Sequence, residues 1–474
     1  MTVVNESSIS ADVVVVGSGV SASGAAIAAV RAGARVVMLE KRDEWGGSAA
    51  LSAGGFWTFR ERERYAQTAE FGERDKQYKV YDGLEDAVRL IESLGVAVFG
   101  AMVVNEGTGA GYKIDVVGLM ETARRLVVES GGRVLLGTPA VRLIRDEERV
   151  AGVVARLSDG REQEVRGRAV VLATGGFQGD RELLSRYIGP AADYLLVRSN
   201  PGSVGDGLRL SQSAGAATSK GMAAFYGHLI PYPLNRFEIP DFRPLTQYHS
   251  VSSVLIGSDG RRLADERRGD PVLAQALLRA PDGRGALIFD DHVRNNEVIE
   301  EPFPGLGVGA VDRLQLAIEA GARYAVADTI EDLAALLGEW GFDSASLERT
   351  LTGYIATASS GGGLASGVPV SADARAPQTA PFHALAVQSA ITFPHGGIRT
   401  SLEGEVVDRD GRAVPGLYAS GSDIGGISFV DYAGGLAPGF ITGTWAGAAA
   451  SAFASGPPSM AGAPAATDPD RPAR

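Results

Sequence analysis

Val13 to Val16 form an unbroken apolar run after a polar leader, Met1 to Ser10, and this is the pattern of a strand buried on both faces. Gly17-Ser18-Gly19 follows at once, then Ala22 and Gly24 open an alanine-rich helix, Ala25 to Val30, that Gly33 ends. Arg35 to Leu39 is a second apolar strand finishing on Glu40. Apolar positions recur at helical spacing in Asp82 to Leu94 and in Asp115 to Glu129, the second with Val116, Leu119, Met120 and Leu126 on one face. Arg133 to Leu136, Ala140 to Arg145 and Val150 to Leu157 are short runs expected as antiparallel strands, with turns at Asp146-Glu147-Glu148 and Ser158-Asp159-Gly160. Ala169 to Ala173 is a further buried strand that runs into Thr174-Gly175-Gly176-Phe177. Charge dominates Arg60 to Lys79, which reads as a solvated helix.

The texture changes after Gly205-Asp206-Gly207 and its helix. From Met222 to about Pro381 aromatics, prolines and arginines mix without the strand–glycine–helix rhythm. This stretch contains a strand at Val254 to Ile256, a glycine-rich loop at Gly305 to Gly309, and helices at Thr329 to Trp340 and Ser344 to Ser359. The rhythm resumes with Pro394-His395-Gly396-Gly397, a hairpin at Asp408 to Gly411, Gly416 to Asp423, Tyr432-Ala433-Gly434-Gly435-Leu436, and a helix from Gly439 to Ala454. The expected organisation is one α/β domain split in sequence (residues 11–235 and 383–455), an inserted α+β capping domain (236–382) and a disordered tail (456–474).

The chain has 474 residues, a formal charge of −12 and no cysteine. Its length allows two domains around a large core. The acidic balance argues against nucleic acid as a partner. Lack of cysteine excludes disulfides, thiol nucleophiles and cysteine-linked cofactors. No apolar run reaches the roughly 18 residues of a membrane span, and no signal-peptide core is present, so a cytoplasmic location without stable membrane insertion is expected.

Strand, glycine turn, helix, strand and acid, in that order, make the dinucleotide fingerprint. Gly17 allows the turn, Gly19 lets the backbone approach a pyrophosphate, Ala22 takes the helix-packing position, and Glu40 is placed for a ribose diol. Gly46-Gly47-Ser48 and Leu51 to Gly55, with Gly54 and Gly55 last, supply a second loop beyond what a nicotinamide site needs, and point to FAD. Thr174-Gly175 lies where ligands sit at the carboxyl end of a sheet, or is a turn and nothing more. Phe56 and Trp57 are either core residues or neighbours of the flavin.

The succession GSGVSASGAA, LEK, GGSAALSAGG, VLATGGF, GDG, HGGI, GLYASG and YAGG resembles the FAD-dependent flavoprotein family of fumarate reductase and succinate dehydrogenase, which includes the 3-ketosteroid and tricarballylate dehydrogenases. The resemblance covers about Asp12 to Gly221 and His395 to Ala454. It implies a Rossmann-like FAD-binding domain with a mobile cap and substrate between them. Carried over by resemblance, Gly17, Gly19, Glu40 and Lys41 serve the ADP half, Gly47 and Ser48 the pyrophosphate, and Val141 (or Ala140) the adenine side. Thr174, Gly175 and Asp206 line the cofactor, Gly421, Ser422 and Asp423 the ribityl chain, and Leu436 and Ala437 the pyrimidine end. No histidine stands near Gly47 to Gly55, so FAD is expected to be non-covalent.

The flavin accepts hydride, so the chemistry is dehydrogenation, or the reverse reduction, of a carbon–carbon bond beside a carbonyl, with a proton handled by the protein. By resemblance, His228 falls at a carboxylate-binding position and Arg268 near a catalytic arginine. Thr246 and His249 replace the Glu and Arg of the family's proton path, and Tyr432 replaces its arginine. Tyr432 with Gly435 matches the carbonyl-polarising pair of the steroid enzymes. For Tyr432, His228, His249 and Arg268 a core or solvated role is the competing reading. Arg262 and Arg267 are expected as surface charges. The alternatives are a soluble fumarate-type enoate reductase and a non-catalytic flavin-stabilised binding protein. The expected partners are a small-molecule substrate with an activated C–C bond and a separate electron acceptor or donor.

Overall fold

In a computed structural model, residues 9–68, 71–104, 108–301 and 310–456 are described. The expected leader (its first eight residues), the Gly305 to Gly309 loop and the tail beyond Gly456 lie outside them. In chain order, the elements that build the site begin with β1 (Ile9–Val16), α1 (Val20–Arg31), β2 (Val36–Leu39), α2 (Val116–Glu129), β3 (Arg133–Leu135), β4 (Glu162–Leu172) and β5 (Leu196–Val197). They continue with β6 (Phe225–Pro231), β7 (Val254–Gly257), α3 (Asp270–Leu278), β8 (Arg284–Asp290), β9 (Phe382–Pro394), β10 (Ala413–Ala419) and α4 (Leu436–Ser455).

β1 sits inside an eight-stranded sheet, parallel to β2 (Val13 opposite Val36) and to β4 (Val13 opposite Ala169). Val13 and Val15 face α1 and α4, while Val14 and Val16 face the main core on the other side. Both faces are covered, which is why the strand reads as an unbroken apolar run. Burying each such valine contributes about 2 kcal/mol. β10, some four hundred residues later, joins the same sheet beside β4 with Tyr418 opposite Val171. The doubly covered, mostly parallel α/β sheet is therefore assembled from both ends of the chain.

The two ends are locked by α1 against α4. A Cβ on Gly24 would lie 2.4 Å from the Phe440 carbonyl oxygen, one on Gly443 2.2 Å from Ser21 O, and one on Gly447 2.1 Å from Ala25 O. The backbones touch, which only glycine permits. Ser21 Oγ and Ser420 Oγ are 2.6 Å apart at the head of this contact.

A second, six-stranded sheet runs β5-β9-β8-β7, with β6 and the strand Tyr324–Ala327 also paired to β9. Its strands come from within residues 236–382 and from outside them: β5, β6 and β9 all belong to it, because β9 is a thirteen-residue strand that gathers partners from both sides. β3 pairs parallel to β2, not antiparallel as expected, because α2 crosses over between them. The other two short runs do form an antiparallel pair, Ala140–Asp146 with Arg149–Arg156. In the charged stretch, Lys76 is fully buried. It pairs with Glu73 at 3.0 Å and donates to Thr400 Oγ1 and Gly425 O, so this helix docks rather than standing in solvent.

Candidate active site

The Gly17-Ser18-Gly19 turn connects β1 to α1. Gly17 has φ +119° and its Cβ would fall 2.1 Å from Ala173 O, so packing alone demands glycine there. Gly19 and Gly47 differ: a Cβ on either would meet nothing closer than 3.8 Å and 3.9 Å respectively. These two glycines leave open room at the N-terminus of α1, where no side chain caps the first N–H groups. Glu40 directly follows β2, accepting from Ser18 Oγ at 2.5 Å and Arg42 N at 2.9 Å. Lys41 and Asp206 form an ion pair of 2.5 Å. Ser48 Oγ accepts from Asn200 N at 3.2 Å, tying the second glycine loop to the segment after β5.

Ala22 is fully buried in the helix packing. Gly54 packs on Ile114 O and Gly55 opens the strand Gly55–Phe59. Val141 is half-buried against Ile144, Ala151 and Val154. Asp423 is buried, which raises its pKa, and its carboxylate accepts from Thr174 N, Thr174 Oγ1 (2.9 Å) and Gly176 N (3.0 Å). It thereby stitches the turn after β4, Thr174-Gly175-Gly176, to the loop after β10. Gly421 donates its N–H to Thr442 Oγ1 at 3.0 Å.

A shallow, half-open cleft lies here, lined by Phe393, Pro394 and His395 from the end of β9 and by Gly421, Ser422, Gly434, Gly435 and Gly439. Leu436 and Ala437 begin α4 directly behind it, so the positive end of a twenty-residue helix addresses the cleft. His395 is buried and neither ring nitrogen has a partner among the described residues. Burial drops its pKa to about 3, so it is a neutral imidazole in want of a polar neighbour. Glycine backbones, a helix N-terminus and an orphaned imidazole are the donor set that a flat, polar-edged ring system fits. With the open room at Gly19 and Gly47 for a diphosphate, the residues present suit FAD.

Beside the cleft stands an aromatic cluster. Tyr432 and Tyr226 are stacked, with ring centroids 3.6 Å apart and planes 5° from parallel. Trp57 meets Tyr432 edge-on at 5.2 Å, and Phe393 packs on Tyr226 at 5.4 Å. Trp57 is 6% exposed, so it is a core residue that packs on the edge of the tyrosine pair. The Tyr226 hydroxyl lies 2.7 Å from His228 Nε2, and His228 Nδ1 lies 2.5 Å from Asp270 Oδ2. Asp270 Oδ1 also accepts from Ser250 Oγ at 3.0 Å and Leu229 N at 3.3 Å.

Burial, and then the Arg198 charge, push the His228 pKa down to about 4 against the pull of Asp270. The ring is therefore neutral near pH 7. The network assigns its proton to Nδ1, facing the carboxylate, and leaves Nε2 to accept from Tyr226. Burial raises both tyrosines well above their ordinary value, with Arg198 opposing in each case. Gly435 lies against the Tyr432 hydroxyl: a Cβ on it would sit 3.1 Å from that oxygen.

Of the four sequence-predicted catalytic residues, Tyr432 and His228 meet through Tyr226. Arg268 is half-exposed and bound to Asp431 at 3.1 Å, one residue before Tyr432. His249 packs edge-on against Phe289 at 4.9 Å, with no hydrogen bond to the cluster. Burial, then Arg313 and Arg294, lower its pKa to about 3. Arg262 is not the expected surface charge. It is buried in a bidentate pair with Glu266, Nη2 to Oε2 2.6 Å, under the ring of Tyr354. Arg267 is half-buried with Asp373 at 3.0 Å.

Sequence reasoning missed Tyr226, Asp270 and Arg198. Tyr226 was within reach, since alternation along a strand sets it on the same face as His228. Asp270 and Arg198 carry no local signal, because they reach the cluster only through the second sheet.

The family described as FAD binding domain matches residues 12–91 and 94–436. Fumarate reductase (cytochrome) of Shewanella frigidimarina is 26% identical over 90% of this chain and 74% of its own length. 4-Oxocyclohexanecarboxylate 2-dehydrogenase of Sinomonas cyclohexanicum is 27% identical, covering 87% of each chain. Among solved structures, 3-ketosteroid-Δ4-(5α)-dehydrogenase of Rhodococcus jostii RHA1 superposes with a TM-score of 0.74 at 22% identity, over 95% of this chain and 98% of that one.

Proposed function

The chain belongs to the FAD binding domain family, and on that premise we propose that its cleft and tyrosine pair form the site of an FAD-dependent oxidoreductase acting on a carbon–carbon bond next to a carbonyl. Bound FAD supplies the two-electron hydride acceptor, or donor in reverse, for that chemistry. Gly19, Gly47, Ser48 and the N-terminus of α1 hold its diphosphate, Glu40 its ribose, and the first turn of α4 its ring. FAD is held without a covalent bond, and acid denaturation should release it intact.

The protein's own part is proton handling and polarisation. The Tyr432 O–H and Gly435 N–H stabilise negative charge growing on the substrate's carbonyl oxygen. Tyr226 takes the proton from the α-carbon while passing its own to His228 Nε2, and Asp270 holds the imidazolium that results. Run backwards, Tyr226 donates to the α-carbon and an activated C=C is reduced. The walls of Trp57, Phe393 and the tyrosine rings keep water from the reacting carbons.

The observation that carries this reading is the Tyr432–Tyr226–His228–Asp270 chain at the mouth of a glycine-walled cleft. The relatives named above act, by their names, on fumarate and on a cyclic ketone, and the uncharged Tyr432–Gly435 pair supports a reading toward the second. The test is anaerobic bleaching of the yellow holoenzyme by cyclic ketones. Tyr432→Phe should retain FAD and slow bleaching by about 10². An unchanged rate removes Tyr432 from the role.

A further inference from the structure

Arg198 follows β5, with its backbone N–H donating to Ile391 O at 2.8 Å, so its side chain starts beside the end of β9 where the aromatic cluster sits. Its Nε donates to Thr246 Oγ1 at 2.9 Å and Phe242 O at 3.1 Å, its Nη2 to Tyr248 OH at 3.1 Å, and its Nη1 reaches Thr392 Oγ1 only at 3.5 Å. Every one of these acceptors is neutral. Each terminal nitrogen carries two N–H groups and is recorded with one acceptor, leaving a hydrogen free on each prong of the fork.

Other guanidinium groups of this region have carboxylates: Arg268 has Asp431, Arg294 has Asp312 and Arg262 has Glu266. The half-buried Arg198 pairs with no carboxylate among the described residues. Asp270, the acid of the cluster, is taken up by His228, Ser250 and the Leu229 N–H. Yet the Arg198 charge acts on Tyr226, His228 and Tyr432 alike, and it is the cation felt by all three. A charge held at low dielectric without a counter-ion is costly, and an arriving anion removes that cost.

The two anchors differ in kind. Tyr432 O–H and Gly435 N–H are neutral donors, suited to a ketone oxygen that becomes negative only during reaction. Arg198 is a permanent fork-shaped cation, suited to a permanent carboxylate. We propose that Arg198 binds a carboxylate of the substrate, so that the substrate class is an oxo acid with one ketone, next to the reacting bond, and one carboxylate set apart from it. One guanidinium beside the cluster with no carboxylate partner among the described residues matches one substrate carboxylate, which sets this substrate apart from a dicarboxylate and from a neutral ketone. The inference rests on the assignment of Tyr432 to the carbonyl.

The experiment is anaerobic titration of holoenzyme with 4-oxocyclohexanecarboxylate and with its methyl ester, reading flavin bleaching. The wild type should half-saturate with the acid at a concentration about tenfold or more below that for the ester, the size expected of a charge-assisted hydrogen-bonded pair. Arg198→Gln should close that gap by raising the half-saturating concentration of the acid far more than that of the ester, with FAD retained, and Arg198→Lys should restore part of it. Equal response to acid and ester, no response to the acid, or equal weakening of both by Arg198→Gln overturns the proposal. Tyr432→Phe separates the two assignments: loss of bleaching by both compounds tracks the carbonyl role, whereas the acid–ester gap tracks Arg198 alone.

Discussion

At the scale of single residues, the proposed proton path ends on a neutral histidine. His228 accepts from Tyr226 only while Nε2 is unprotonated, and Asp270 holds the opposite nitrogen. His228→Gln should lower turnover by about 10² to 10⁴, the range for a lost acid–base partner, with the flavin spectrum unchanged. Asp270→Asn should also lower turnover, and recovery by added imidazole is not expected because the ring stays in place. Stopped-flow bleaching of each variant under anaerobic conditions checks both. The motifs singled out His228 and Tyr432, and strand alternation would have set the missed Tyr226 on the face of His228. Asp270 was not legible, since the first residue of a helix forty-two positions downstream has no periodic relation to a strand.

At the scale of elements, the contact of α1 with α4 decides whether the two halves of the cofactor site face one another. Gly439, Gly443 and Gly447 recur every four residues and so share one face of α4. That stripe can be read along the chain, but the partner that presses on it is α1, some four hundred residues away, with Gly24 answering from its side. Gly447→Ala forces a methyl group to 2.1 Å from the Ala25 carbonyl oxygen. It should cost about 1 to 3 kcal/mol in chemical denaturation and weaken FAD retention in parallel, because both helix N-termini shift together. A variant with full stability and full flavin content would place the two helices differently from the contact described here. The short strands show the same limit in another form. β3 carries the same local pattern in a parallel as in an antiparallel pairing, and only the crossover through α2 decides between them.

At the scale of the whole molecule, buried imidazoles make acid stability a readout of the packing. His228 falls to about 4, and His249 and His395 to about 3, all below the ordinary 6.5. A histidine with a depressed folded pKa binds its proton more readily when unfolded. Its neutral state leaves stability intact above about pH 6.5, and stability is lost as pH falls from there toward the folded value. Each such group steepens the decline by about 1.4 kcal/mol per pH unit in that window. His249→Leu should therefore flatten the dependence of melting temperature on pH between 6.5 and 4 while leaving the value near neutrality close to that of the wild type. An unchanged slope would mean that His249 is solvated rather than sealed against Phe289. Among the described residues no helix is long and apolar enough to cross a membrane. The fold class and the cofactor were settled along the chain itself, since a βαβ unit is local and its glycines answer to sterics within a few residues. The make-up of the second sheet, the burial of Lys76 and Arg262, and the meeting of Tyr432, Tyr226, His228, Asp270 and Arg198 were decided only in three dimensions. The reason is that β9 draws strands from distant parts of the chain to one edge, and side-chain charge is felt through space, where sequence distance has no meaning.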